Sequence, residues 1–132
     1  MPDDPTAEMD LATGALADAD ASRQQGTERG VVSRLYYACF HAAQAVLYDK
    51  GFNPESHDAV KQLFGREVVL PGDASRSDGG FLGDMYDKRQ QADYQQSPPT
   101  MNVDSLYART EMFVADMAEL IEYESDDDFG ET

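Results

Sequence analysis

Apolar residues recur at spacings of three and four through the middle of the first half of the chain, where residues 33–51 read SRLYYACFHAAQAVLYDKG. Val32, Leu35, Tyr36, Cys39, Ala42, Ala43, Val46 and Leu47 form one stripe of 3.6-residue period, which predicts a central helix with the others as its packing partners. A second stripe of Arg34, Tyr37, His41, Gln44 and Tyr48 runs beside it, polar and aromatic, a mixture suited to an interface or a cleft. Arg34 and His41 are seven residues apart and so lie nearly one above the other.

The same periodicity predicts four further helices. In residues 7–25 the stripe of Met9, Ala12, Leu16 and Ala19 is thin, with Thr6 as the N-cap and Gly26 as the stop. Residues 57–64 form a short helix capped by Ser56, with Ala59, Val60, Leu63 and Phe64 on its apolar face. Residues 81–95 place Leu82, Met85, Tyr86, Arg89, Ala92 and Asp93 on one face, so an arginine and an aspartate sit where apolar residues stand elsewhere. The clearest pattern is in residues 103–123, where Val103, Leu106, Thr110, Phe113, Met117 and Leu120 alternate spacings of three and four behind an Asn102 cap. Residues 65–80, with Pro71-Gly72 and Gly79-Gly80, predict an irregular, mobile loop. EVVL within it has strand character but no partner strand.

These elements predict an all-α, up-and-down bundle of four main helices plus one short helix. The expected organisation is a frayed N-terminus over residues 1–5, one helical domain over residues 6–123, and an acidic, disordered tail over residues 124–132. The tail is read as solvated, with contact to a basic partner as the alternative.

Charge narrows the choice of partners. The 132 residues carry 26 acidic against 10 basic side chains, a net charge of −16. No basic cluster exists, so nucleic acid would have to bind at a local site shielded from the global field, and an acidic membrane surface is disfavoured further. No apolar run approaches the roughly 18 residues that span a bilayer, and the N-terminus lacks the basic start and apolar run of a signal peptide. The single cysteine, Cys39, lies on the apolar stripe and reads as a small buried hydrophobe. A cytoplasmic setting follows as the expectation.

The chain has no Gly-rich phosphate loop, no paired CxxC and no HExxH, so no cofactor or metal is expected. Two clusters remain. Arg34, Tyr37 and His41 can bind a phosphate and move a proton, with Arg34 and Tyr37 as binding residues; the alternative is that His41 hydrogen-bonds inside the bundle. Arg89, Asp93 and Tyr94 form the second. Arg89 and Asp93, four apart, either fix helix register as a structural ion pair or belong to an anion or nucleotide site with Arg89 as the phosphate contact.

The run SRLYYACFHAAQAVLYDKGF, then SHDAVKQLF, then KRQQADY, then LYARTEMFVADMAELI resembles the HEPN domain family (higher eukaryotes and prokaryotes nucleotide-binding), and most of all its small prokaryotic stand-alone members. The likeness covers about residues 10–122. It implies a helical bundle, a homodimer, and a minimal nucleotidyltransferase partner in a toxin–antitoxin pair. It also implies metal-independent endoribonuclease activity on RNA, carried by an arginine and, four to six residues later, a histidine. Arg89, followed by polar Gln90, matches that arginine. The positions where the histidine should fall hold Tyr94, Gln95 and Gln96, so the motif is degenerate. Arg34 to His41 has the right spacing on the wrong helix. The catalytic candidates are therefore Arg89, with Asp93 orienting it, and Tyr94 or His41 for the proton. A non-catalytic dimerisation or adaptor module is the competing expectation.

Acid spread along the whole chain points to a halophilic, salt-accumulating cytoplasm rather than to an ordinary acidic protein. Mutual repulsion of this surface is screened within about 3 Å at molar salt. Thermal unfolding followed from low salt to molar KCl should therefore show a rising midpoint; full stability at low salt without further gain would contradict this reading.

Overall fold

The computed structural model describes residues 4–94 and 102–124, with side chains of the first stretch described through residue 91. Five α-helices occur among them: α1 (Pro5–Gln25), α2 (Glu28–Asp49), α3 (His57–Phe64), α4 (Arg76–Tyr94) and α5 (Val103–Leu120). No strand occurs among the described residues. The architecture is all-α, an up-and-down bundle of four long helices and the short α3.

Helix α2 is the centre of the bundle and packs on α1, α3, α4 and α5. All eight residues of its apolar stripe are buried, and so are Val31, Ala38, Phe40 and Ala45 outside that stripe. A helix that is apolar almost all round belongs in an interior. Cys39 is fully buried against this packing, and desolvation pushes its thiol up to about 12. It is a packing residue in this environment.

Local chemistry sets most of the ends. Thr27 Oγ1 accepts from Gly30 N at 3.0 Å, so α2 begins at Glu28, four residues before the apolar stripe makes it visible. Gly51, at φ +94°, ends it: Phe52 N donates to Leu47 O at 2.9 Å, a left-handed closure that glycine adopts without strain. Ser56 Oγ and Asn102 Oδ1 cap α3 and α5 as their sequences indicate.

Three features differ from the sequence expectation. The cap of α1 is Asp4, whose Oδ1 accepts from Thr6 N at 2.9 Å, so the helix starts at Pro5, where a proline needs no N–H partner. Residues 65–80 are a loop only over 70–75. Gly65–Val69 form a π-helical turn continuing α3, and α4 begins at Arg76 behind Ser75, whose Oγ accepts from Asp78 N. Gly79 allows that close approach, since a Cβ there would lie 2.8 Å from Val69 Cγ2. Third, α5 ends at Leu120, which is exposed rather than part of the core. The expectations for residues 1–3, 95–101 and 125–132, including the acidic tail, lie outside the described residues.

Ion pairs not visible in the apolar pattern tie the long helices together. Arg109 of α5 donates to Asp78 at 2.8 Å and Ser77 at 3.1 Å on α4, with its guanidinium over the Phe81 ring. Arg23 of α1 donates to Asp104 of α5 at 3.0 Å and lies 4.0 Å over the Tyr107 ring.

Phe113 is fully buried on α5, with the rings of Phe64 on α3 and Phe81 on α4 at 5.8 and 6.2 Å. Truncation there leaves a cavity shared by three helices. Phe113→Ala should lower unfolding free energy by about 3–5 kcal/mol, measured by denaturant titration at constant salt.

Candidate functional site

The polar edge of α2 meets α1, α3 and α4 around one aromatic hub. Tyr37 is only half-buried, and its hydroxyl accepts from Arg89 Nη2 of α4 at 3.0 Å. The Arg89 guanidinium lies 5.1 Å from the Tyr37 ring centroid and 5.4 Å from that of Tyr36. Arginine occupies the apolar face of α4 because it meets aromatic faces and a phenol there, which accept a planar cation.

Two imidazoles flank the hub. His41 stacks on Tyr37 at 6.1 Å, and its Nδ1 is bonded to Glu8 Oε2 of α1 at 2.5 Å. His57, the first residue of α3, stacks on Phe40 at 4.3 Å and on Tyr36 at 5.7 Å, with Nδ1 2.7 Å from the Tyr36 hydroxyl. The two histidines lie on different helices with no informative spacing between them. The fold nevertheless gathers both around Phe40, whose ring is 5.3 Å from His41 and 4.3 Å from His57.

Protonation states follow from these surroundings. Burial holds the Tyr36 phenol well above its ordinary range, with the Arg89 charge pulling the other way, so it stays protonated. Desolvation, and then the Arg89 charge, lower His57 below its usual 6.5. At neutral pH the Tyr36 O–H is therefore the donor and His57 Nδ1 the acceptor, which leaves the ring proton on Nε2. Chemically, the group offers one guanidinium for an anion, a neutral imidazole beside it, and a second imidazole held by a carboxylate.

A cavity of about 10 Å³ lies beside the group, lined in part by Tyr36, Phe40, His57, Lys61 and Tyr86. That is room for about one water molecule, far too little for a nucleobase. An anion would meet this cluster at its outer edge, where Tyr37 and His41 are partly exposed.

Not every sequence candidate joins the group. Arg34 is exposed, and its Nη1 turns back toward Gly30 O of its own helix at 3.5 Å, so it stands apart from Arg89. His41 approaches Arg89 through the intervening Tyr37 ring rather than by direct contact. Asp93 and Tyr94 are in the last turn of α4, and their side chains lie outside the described residues. Sequence reasoning missed Glu8, His57 and Tyr36 as members. Glu8 looked like a dipole-compensating residue in a first turn, and His57 like the plain start of a capped helix. Among the described residues no group of three or more His, Cys, Asp or Glu is placed to hold a metal ion, and no helix is long and apolar enough to cross a membrane.

Comparison with known proteins agrees with this architecture. The HEPN domain profile matches residues 9–125, and the chain belongs to that family. It is similar to the Methanocaldococcus jannaschii protein whose name reads "Putative toxin MJ0605", at 34% identity over 107 residues, 80% of each chain. A Thermotoga maritima protein named "UPF0332 protein" is 32% identical over 83 residues, 63% of each chain. A Pyrococcus horikoshii protein of the same UPF0332 name, PH1297, is 33% identical over 82 residues, 62% of this chain and 58% of its own.

The lowered His57 value has a pH consequence. The folded state binds fewer protons there than the unfolded chain, so the contribution of His57 to stability is complete above pH 6.5 and is lost as pH falls through the lower folded value. His57→Phe keeps the stack without the titration. Its urea midpoint should fall less than that of the wild type between pH 7.5 and pH 5 at constant KCl; parallel falls would show that His57 is not held neutral.

Proposed function

We propose that this chain is the toxin-like, RNA-directed member of a two-component system, acting as a cytoplasmic homodimer with a minimal nucleotidyltransferase partner. Membership of the HEPN family and the name of the Methanocaldococcus relative support the toxin-like part. The observation that carries the chemistry is the Arg89 guanidinium held on Tyr37 between two imidazoles.

The reaction this arrangement suits is metal-independent cleavage of a phosphodiester that has a neighbouring 2′-hydroxyl. Arg89 supplies N–H donors to the non-bridging phosphate oxygens, stabilising the extra negative charge of the phosphorane. His41 takes the 2′-hydroxyl proton at Nε2. The 2′-oxygen bonds to phosphorus, the P–O5′ bond breaks, and the 5′-oxygen takes a proton from water. The products are a 2′,3′-cyclic phosphate and a 5′-hydroxyl. His57 adds an Nε2–H donor without a second positive charge. Asp93, as an orienting group for Arg89, and Tyr94, as a further proton carrier, belong to the same proposal.

A second reading is a non-catalytic helical adaptor, favoured by the way Arg89 is already engaged inside the bundle by the Tyr37 hydroxyl and two aromatic faces. One experiment separates them. The protein, purified in molar KCl, is mixed with structured RNA and EDTA and compared with Arg89→Ala. The wild type should release fragments with 2′,3′-cyclic phosphate ends, and the folded variant should be slower by about 10²–10³-fold, the size of one lost charge-stabilising donor group. No cleavage by the wild type, with a marked stability loss in the variant, would establish the adaptor.

A further inference from the structure

The Glu8 carboxylate is buried, with 8% of the residue exposed, in a chain whose carboxylates are otherwise mostly in water. Its position in the first turn of α1 lowers the cost of holding a negative charge there. Both of its hydrogen bonds cross to α2: Oε2 accepts from His41 Nδ1 at 2.5 Å and from Gln44 Nε2 at 2.8 Å. Gln44 fixes the carboxylate, and the carboxylate fixes the ring.

An ionised carboxylate only accepts, so His41 Nδ1 must carry the proton of this bond. In the neutral ring Nε2 is then a bare lone pair. About a quarter of the His41 side chain, 24%, remains exposed. The groups around the ring are Glu8 from α1, Gln44 and the Tyr37 ring from α2, His57 from α3, and Arg89 of α4 across Tyr37. None of these bonds to Nε2.

We propose that Glu8 is a positioning residue: it holds His41 in the Nδ1–H tautomer and in one orientation, so that Nε2 serves as the base for a 2′-hydroxyl whose phosphate rests on Arg89. This rests on the ribonuclease reading above. It gives the degenerate motif on α4 its proton acceptor from another helix, and it explains why a charge is spent at the α1–α2 seam. Glu8 touches no substrate atom and acts through His41.

The test joins a spectroscopic and a kinetic measurement on the full chain in molar KCl. Long-range ¹H–¹⁵N spectra of the imidazoles should show His41 as the Nδ1–H tautomer in the wild type and mainly as Nε2–H in Glu8→Ala. With structured RNA and EDTA, Glu8→Ala should lose about 10²-fold in kcat with little change in KM, the lower range of what a positioned base contributes. Glu8→Gln, whose carbonyl still accepts from Nδ1–H, should keep the tautomer and recover much of that loss. Helical circular dichroism confirms that each variant is folded. An Nε2–H tautomer in the wild type, or a folded Glu8→Ala with unchanged kcat, overturns the role of Glu8 even if RNA is cleaved. Equal kcat losses in the Ala and Gln variants that track their stability losses do the same, marking a purely structural pair. An Nδ1–H tautomer in a wild type that leaves RNA intact overturns the ribonuclease reading, and with it the catalytic use of this dyad.

Discussion

The burial of α2 on nearly every side is the constraint from which the rest follows. A helix whose Val31, Leu35, Ala38, Ala42 and Val46 are all out of water needs neighbours all round. The four other helices supply them, and α2 has contacts with each. Small residues make this possible: Ala38, Ala42, Ala43 and Ala45 on α2 and Ala12 and Ala19 on α1 are all fully buried in one core, and such residues let packed helices approach closely. The large side chains concentrate on the opposite side, where Phe64, Phe81 and Phe113 fill the wider gap toward α3, α4 and α5.

One edge of α2 does not follow that rule, and its polar and aromatic groups are concentrated there. Tyr37, His41 and Gln44 are only partly buried, and each is satisfied by a group from another helix or by a ring beside it: Arg89 on Tyr37, Glu8 on His41 and Gln44. Unpaired, such groups would cost several kcal/mol on burial. Paired, they hold three helices in a fixed relation and gather a cation, a phenol and two imidazoles around the Tyr37 ring. The same contacts that make the seam stable also fix its polar groups in place.

The surrounding surface is strongly acidic, and the cation at this seam is correspondingly enclosed. Arg89 is partly buried among aromatic rings, while Arg23 and Arg109 are spent on carboxylates that tie α1 and α4 to α5. Aromatic faces attract a cation, so the rings of Tyr36 and Tyr37 help to hold Arg89 at this seam.

The sequence by itself determined the helices and their core faces. The 3.6-residue stripe of α2, the Ser56 and Asn102 caps, Gly26 and Gly51 as stops, and the burial of Cys39 are all local properties, set by side-chain period and capping chemistry within a few residues. The pattern misplaced what local signals do not encode. Asp4 displaced Thr6 as the cap of α1 because its Oδ1 accepts from Thr6 N, which puts Thr6 inside the first turn. The π turn at Gly65–Val69 and the early start of α4 depend on Val69 fitting against a bare Gly79. The likeness of the motifs to the HEPN family was legible, since order and spacing survive in a linear string. The seam was not: Glu8 and His41 are 33 positions apart, Tyr36 and His57 are 21, and Tyr37 and Arg89 are 52. Only the packing of α1, α3 and α4 on a single edge of α2 brings those groups within hydrogen-bond and stacking distance, because their meeting depends on how whole helices dock and not on any residue's neighbours in the chain.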